Sequence, residues 1–432
     1  MSSLVLLKKN LEELKFFFIY HILQLFEKVE WFFLLIFTSY FLSQSKLPFA
    51  EAFGFVKWGI LVAFVVINII TIGLKAEHQK LIIDKIIWAL GIFMVYLFIN
   101  SLMSINITTS VFRTILFLLT LIVWFFVLPN YLNTKKAIFK LFNMLFYFFF
   151  IVLTLNIVLT ILIPNLYFRI GIYIRYSGIA DNANTLGMYS LASLIFILYK
   201  LRLGKKSEKI ISWFMLLLVA INFSLTVSRS SMLGAAIILM IFTFYYYRKW
   251  FYTGILFGIV VILAFLFFPI LLDVFRLATN PFSYRDQLFE LAISKWLERM
   301  WIGQGYGTTI DITTQLFTFW QKGYHYLLIG KHFGNMYLEL LCETGIVGII
   351  LFLPIIVILF KKQKILFVKA KGDLRVLLIL YRGIFFGFLI QNIFESALLS
   401  PGNGVAFLFW TFSGLLISIE RLIFLEKESL IS

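Results

Sequence analysis

Charge is what this sequence has least of. Only 14% of its 432 residues are Asp, Glu, Lys or Arg, where a water-soluble domain carries about 25%. Most of such a chain must face lipid or other buried helices. Cysteine is nearly absent as well. Cys342 stands alone, so it forms no internal disulfide and says nothing of redox compartment. Strand-like alternation broken by turns is missing, which argues against a membrane barrel. The phosphate-binding pattern G-x-x-x-x-G-K-[ST] is missing too, which excludes a primary pump. No internal repeat relates the two halves, and residues 73–80 show none of the gating pattern of major-facilitator carriers. Both absences count against a transporter, although the number of spans would suit one.

What is present is long apolar stretches, with 62% hydrophobic residues overall. A helix needs roughly 20 apolar residues to cross the hydrocarbon core, and lipid offers the backbone no hydrogen-bond partner outside a helix or closed barrel. The expected spans are 31–47, 55–74, 86–103, 110–128, 141–163, 183–199, 210–227, 230–247, 251–272, 337–360, 376–397 and 404–419. The fold class is therefore an all-α polytopic membrane protein with about twelve transmembrane helices. The pattern predicts an N-terminal bundle over 1–272, a large extracytoplasmic loop over 273–336 and a C-terminal bundle over 337–432. Lys8, Lys9, Glu12, Glu13 and Lys15 interrupt the first apolar stretch, which reads as an interfacial amphipathic helix without a signal-peptide cleavage site. Lys and Arg gather in alternate loops, notably at Lys200–Lys209 and Lys361–Lys364. By the positive-inside rule both termini are cytoplasmic. The net charge of +17 is scattered over short loops, which points to anionic lipid and away from nucleic acid.

Polar residues concentrate on the expected outer side. Within loop 273–336, residues 283–301 read as a helix with Leu288, Phe289, Ala292, Ile293, Trp296, Leu297 and Met300 on one stripe, and Ser283 with Asp286 as a capping box. Gly303-Gln304-Gly305-Tyr306-Gly307 follows a helix rather than a strand, so it is a turn and not a dinucleotide motif. His325 and His332 lack the second ligand a zinc site needs; as a base or hydrogen-bond donor either suits a polar surface. Of the loop aromatics Trp301, Tyr306, Trp320 and Tyr324, interfacial anchoring is the default role and sugar stacking the alternative. Arg169, Arg175, Arg229 and Arg285 share this side with Asp181. One arginine alone snorkels to headgroups; as a set they suit an anionic, lipid-linked diphosphate. Arg382 lies inside span eleven, 13 residues from Glu395, or roughly 20 Å on one helix. Its expected partner is another helix or a ligand.

Four segments in order carry a resemblance: Arg175-Tyr-Ser-Gly178 through Asn182-Ala-Asn184-Thr-Leu-Gly187; Thr226-Val-Ser-Arg229-Ser-Ser; Tyr284-Arg285-Asp through Gly305-Tyr-Gly307; and Asn335-Met-Tyr-Leu-Glu339 through Glu343-Thr-Gly345-Ile-Val-Gly348. Together they resemble the superfamily of O-antigen ligases and the repeat-unit polymerases of O-antigen, capsule and exopolysaccharide. Many members have histidine directly before the asparagine. Here Gly334 stands there, and the nearest histidine is His332.

The resemblance implies a metal-independent, cofactor-free glycosyltransferase in the bacterial inner membrane. Its donor would be an undecaprenyl-diphosphate-linked oligosaccharide, with membrane lipids, a flippase and a chain-length regulator as partners. Arg229 and Arg285 would hold the diphosphate, with Arg175 and Asn184 as secondary contacts. His332 would be the base, with His325 or Glu339 as alternatives. Asn335 and Glu339 would shape the acceptor side, and Arg382 would be a further substrate contact. Polymerase is preferred over ligase as the more diverse class and because of the histidine departure; a lipid-oligosaccharide flippase is the alternative from another class.

Overall fold

The computed structural model describes residues 29–74, 84–163, 168–169, 175–267, 285–315 and 331–428. The amphipathic N-terminal segment, Ser283 of the expected capping box, Trp320, Tyr324 and His325 lie outside them.

Nine helices lead up to the long loop: α1 (Val29–Ser43), α2 (Ala50–Leu74), α3 (Lys85–Leu102), α4 (Ile107–Tyr131), α5 (Lys135–Leu162), α6 (Ala183–Leu203), α7 (Lys206–Thr226), α8 (Arg229–Tyr246) and α9 (Arg248–Phe267). The loop contributes α10 (Arg285–Glu298) and α11 (Thr309–Gln315), and α12 (Met336–Lys369), α13 (Gly372–Gln391) and α14 (Gly404–Glu428) follow. The one ladder among the described residues pairs Phe168–Arg169 antiparallel with Arg175–Tyr176. The protein is an all-α polytopic membrane protein. Among the described residues nine helices are long and apolar enough to cross a membrane. Of the expected twelve, α1, α9 and α13 fall outside that number. α1 is only 15 residues long, and α13 carries Asp373, Arg375 and Arg382.

Several helices overrun the apolar stretches that announced them. α12 runs for 34 residues instead of ending at 360, and α5 begins at Lys135 instead of 141, where the Thr134 side chain caps it by accepting from the Ala137 N–H. Charged turns extend a helix past the hydrocarbon at no desolvation cost, so hydropathy alone places such ends too early. α13 does the opposite. It stops at Gln391, and residues 392–403 form turns. Asn392 fixes the first of these, its Oδ1 accepting from the N–H groups of Ala397 at 2.8 Å and Leu398 at 3.1 Å.

α6 and α14 are buried almost all round at the centre of the bundle. Much of the aromatic content lies there rather than against lipid. Trp124 and Trp410 are fully buried and stacked at 6.1 Å, and Phe407 packs edge-on to Phe37 at 5.2 Å. A π-helical turn in α4, Val123–Val127, brings the Trp124 carbonyl against Gly414 of α14, where a Cβ would come within 2.0 Å.

Candidate functional site

The polar cluster forms where four helix ends meet. Asn182 caps α6 by accepting from the Thr185 N–H, which places Asn184 in the first turn. α7 and α8 join through Val227 in the left-handed conformation, φ 48°. This hairpin sits so close to α6 that a Cβ on Gly187 would lie 2.6 Å from that of Ser228. Gln391 at the end of α13 donates to Ser231 Oγ at 3.0 Å and ties the hairpin down from the other side.

Glu395, in the turn beyond α13, is the convergence point. Its Oε1 accepts from Asn184 Nδ2 at 2.9 Å, Ser230 Oγ at 3.2 Å and Arg285 Nη2 at 3.1 Å. Arg285 opens α10, and its Nη1 donates to the Phe394 carbonyl. The guanidinium rests against the backbone of Gly334, where a Cβ would lie 2.9 Å from Nε. Gly334 also has φ +70°, a conformation that costs a side-chain-bearing residue energy. Glycine in place of the family's histidine is thus accounted for locally: the space belongs to Arg285.

His332 lies two residues before Gly334. Its Nδ1 is 2.8 Å from Glu339 Oε1, with the imidazole 35% exposed and the carboxylate 12%. The Glu339 charge holds the imidazole above its usual range, against the opposing pull of burial. An early start of the span's helix, which would have put His332 and Asn335 on one helical face, is not what forms. α12 begins at Met336, with Asn335 as its cap, its side chain accepting from the N–H groups of Tyr337 and Leu338. Asn335 is therefore occupied as a helix cap, and it is Glu339, a turn inside α12, that meets the histidine.

The glycine turn does more than connect. Gly345 breaks α12 with φ 65° and ψ −170°. The N–H groups of Ile346 and Val347 donate instead to the carbonyls of Met300 at 2.9 Å and Trp301 at 3.2 Å. The carbonyls of Cys342 and Glu343, which those N–H groups would have met in an unbroken helix, accept from Gln304 at 2.9 Å and Gly305 at 2.8 Å. The turn is spliced into the helix ladder. Asn100 of α3 braces the junction, donating to the Ile302 carbonyl at 2.5 Å and accepting from the Tyr306 N–H at 2.7 Å. Glu343, nearly fully buried, accepts from the N–H and hydroxyl of Thr309 at 3.0 and 2.6 Å.

α10 lies on α12 through Leu288, Leu291 and Ala292, which form a small core with Ile312, Phe333 and Cys342. Ile293, Leu297 and Met300 of the expected stripe face outward, and Leu291 is buried in their place. Trp301 is exposed, whereas Tyr306 is buried with its hydroxyl on the Leu399 carbonyl at 2.5 Å, which removes Tyr306 from the candidates for sugar stacking.

Of the residues singled out in the sequence, Asn184, Arg285, His332, Asn335 and Glu339 come together at this end. Arg229 heads α8, half-buried, next to Ser230. Arg175 lies in the ladder that precedes Gly178. Arg382 does not join the group. Its Nε and Nη2 donate to Gln363 Oε1 at 3.2 and 3.1 Å and its Nη1 to the Tyr245 hydroxyl, while its plane covers Phe367 at 4.6 Å. Of the two partners expected for Arg382, another helix or a ligand, the structure shows the first. Ser230 and Glu343 lay inside the resembling segments without being singled out as site residues, and Arg113 carried no sequence signal.

A multi-pass helical membrane protein with an arginine–carboxylate cluster and an imidazole–carboxylate pair at one end of its bundle is the class that fold and site define. Residues 214–353, about a third of the chain, match the family model described as O-antigen ligase, and over that stretch the chain is similar to that family. The matched stretch contains Arg229, Arg285, His332, Asn335 and Glu339 and leaves out Asn184 and Glu395. No curated protein matches the chain significantly.

Proposed function

We propose that the enzyme polymerises undecaprenyl-diphosphate-linked oligosaccharide repeat units on the outer face of the membrane. One observation carries this reading. Three donors of different types, from Arg285, Asn184 and Ser230, converge on a single carboxylate oxygen. Such a set is also the seat for a phosphate oxygen, since guanidinium, amide and hydroxyl donors serve either oxyanion. Arg285 and Arg229 offset the charge that develops on the departing lipid diphosphate, and Glu395 keeps the donors aligned between turnovers. His332 takes the proton from the acceptor hydroxyl. The hydroxyl oxygen then bonds to the anomeric carbon, and the diphosphate leaves with the electron pair of the broken bond.

The cluster's place supports an outer site. α6 carries Asn184 at one end and Lys200 and Arg202 at the other, about 1.5 Å of rise per residue apart. α12 likewise separates Glu339 from Lys361, Lys362 and Lys364. Basic clusters mark the cytoplasmic side, so the cluster faces out.

A ligase shares this chemistry and differs in its acceptor, and the matched family bears that description. The departure at Gly334 favours polymerase. Glycan length in cells carrying Arg285→Ala or His332→Ala, at parental protein levels, tests the choice. Accumulation of single lipid-linked units with loss of long chains supports polymerase. Long chains that persist on the lipid carrier without reaching a final acceptor support ligase. Parental behaviour of both variants removes the site.

A further inference from the structure

The two oxygens of Glu339 have unlike surroundings. Oε1 holds His332 Nδ1 at 2.8 Å. Oε2 is buried and has no hydrogen-bond partner. Glu339 lines a small cavity of about 20 Å³ together with Arg113, Glu343, Tyr306, Ser396 and Ser400, which is room for a single water. The cavity is a built one. Gly307, at φ +83°, lies so close to Arg113 that a Cβ would come within 2.3 Å of its Cδ, so the arginine stem is held against the glycine turn. Glu343, four residues beyond Glu339 and hence on the same face of α12, has its Oε1 engaged by Thr309.

The geometry points to Glu339 as the positioning residue for His332, a carboxylate that takes the Nδ1–H and leaves the Nε2 lone pair directed at the acceptor. This inference rests on the glycosyl-transfer reading above. A ring nitrogen bound to a carboxylate keeps its proton, so the other nitrogen is the one free to accept. When the acceptor hydroxyl gives its proton to Nε2, the imidazolium stands beside the Glu339 carboxylate and is stabilised by it. The proton leaves later from Nε2 to water, and Nδ1–H stays on Glu339 throughout. The charged groups that bear on the imidazole are Glu339 and Glu343 of α12, which favour its protonated form, and Arg113 of α4, which opposes it. Glu339 is thus no competing base.

The test uses the full-length enzyme in detergent or vesicles, with a lipid-diphosphate-linked oligosaccharide as donor. The variants are Glu339→Gln, Glu339→Asp and His332→Ala, each checked for parental protein level and a cooperative thermal melt. kcat/KM of the parent rises as pH passes through the elevated imidazole value. In Glu339→Gln the rise moves to lower pH, and the plateau falls. Glu339→Asp recovers part of both. A readout free of turnover is the NMR titration of labelled histidines, of which the chain has four; the His332 signal, identified by its loss in His332→Ala, titrates lower in Glu339→Gln. If both the pH profile and this titration are unmoved in Glu339→Gln while His332→Ala is inactive, the dyad is overturned and the transfer reading survives. If His332→Ala is as active as the parent, the base assignment itself falls.

Discussion

At the scale of residues, the site turns on Glu395. In sequence it looked like one of several polar groups inside a span. Its importance depends on α13 stopping at Gln391, and hydropathy does not show that stop. Asn184 and Arg285 were legible because each opens a helix at a recognisable signal. Ser230 was not, being one serine among several in a hairpin. If Glu395 serves chiefly to hold the donors, its effect must pass through Arg285. Arg285→Ala is expected to lower the transfer rate by roughly 100-fold or more, the scale of losing an oxyanion donor, and Glu395→Ala by about tenfold. The double variant should cost no more than Arg285→Ala alone, because groups acting as a unit are not additive. A double variant as slow as the product of the two effects would show that they act separately. His332 adds a pH dependence to stability. Its imidazole is held above the usual 6.5 by Glu339, so the pair contributes fully below that value. The contribution is lost as pH rises through the elevated folded-state value. Thermal melts from pH 6 to pH 9 should show a decline in the parent that Glu339→Gln lacks.

At the scale of elements, the helices were readable from hydropathy and their caps, while the relation between them was not. The turn 303–307 gave only glycine spacing, since a sequence cannot show which distant backbone a turn will meet. The glycines on both sides of the splice have strict reasons to be glycine. A Cβ on Gly345 would lie 2.2 Å from the Trp301 carbonyl oxygen, and one on Gly303 2.5 Å from the Glu343 carbonyl carbon, with positive φ at both. Gly345→Ala and Gly303→Ala are therefore expected to destabilise by more than about 1–3 kcal/mol, read as a lower melting temperature and reduced protein in the membrane. Parental stability in either would mean that the splice is looser than drawn. Gly187→Ala should behave differently. Its contact is with the Ser228 and Ser231 side chains, so the hairpin carrying Arg229 and Ser230 shifts while the bundle holds. Transfer should fall with melting unchanged, and a matching drop in melting would assign Gly187 to packing.

For the whole molecule, the class was legible from the long apolar runs and the scarcity of charge, while the gathering of Lys and Arg in alternate loops supplies the orientation expected of it. The number of spans was less so, because α1 is short and α13 hides Arg382 among aromatic and amide partners. The orientation makes a direct prediction. Cysteines replacing exposed Asp286 and Lys206 should react with a membrane-impermeant maleimide from opposite sides of intact cells or vesicles. Cys342 is fully buried and gives no background. Labelling of both from one side would overturn the outer site. The splice at Gly345 also constrains biogenesis. Once Gly345 breaks the helix, the N–H groups of Ile346 and Val347 depend on the Met300 and Trp301 carbonyls, and each such group left unpaired in hydrocarbon would cost several kcal/mol. The ribosome delivers 300–305 before 342–347, so the earlier strand of chain must wait at the membrane surface for its slot to arrive. The broken span therefore needs residues 300–305 docked against it, and a chain lacking the turn is expected to accumulate less in the membrane, read as a lower protein level.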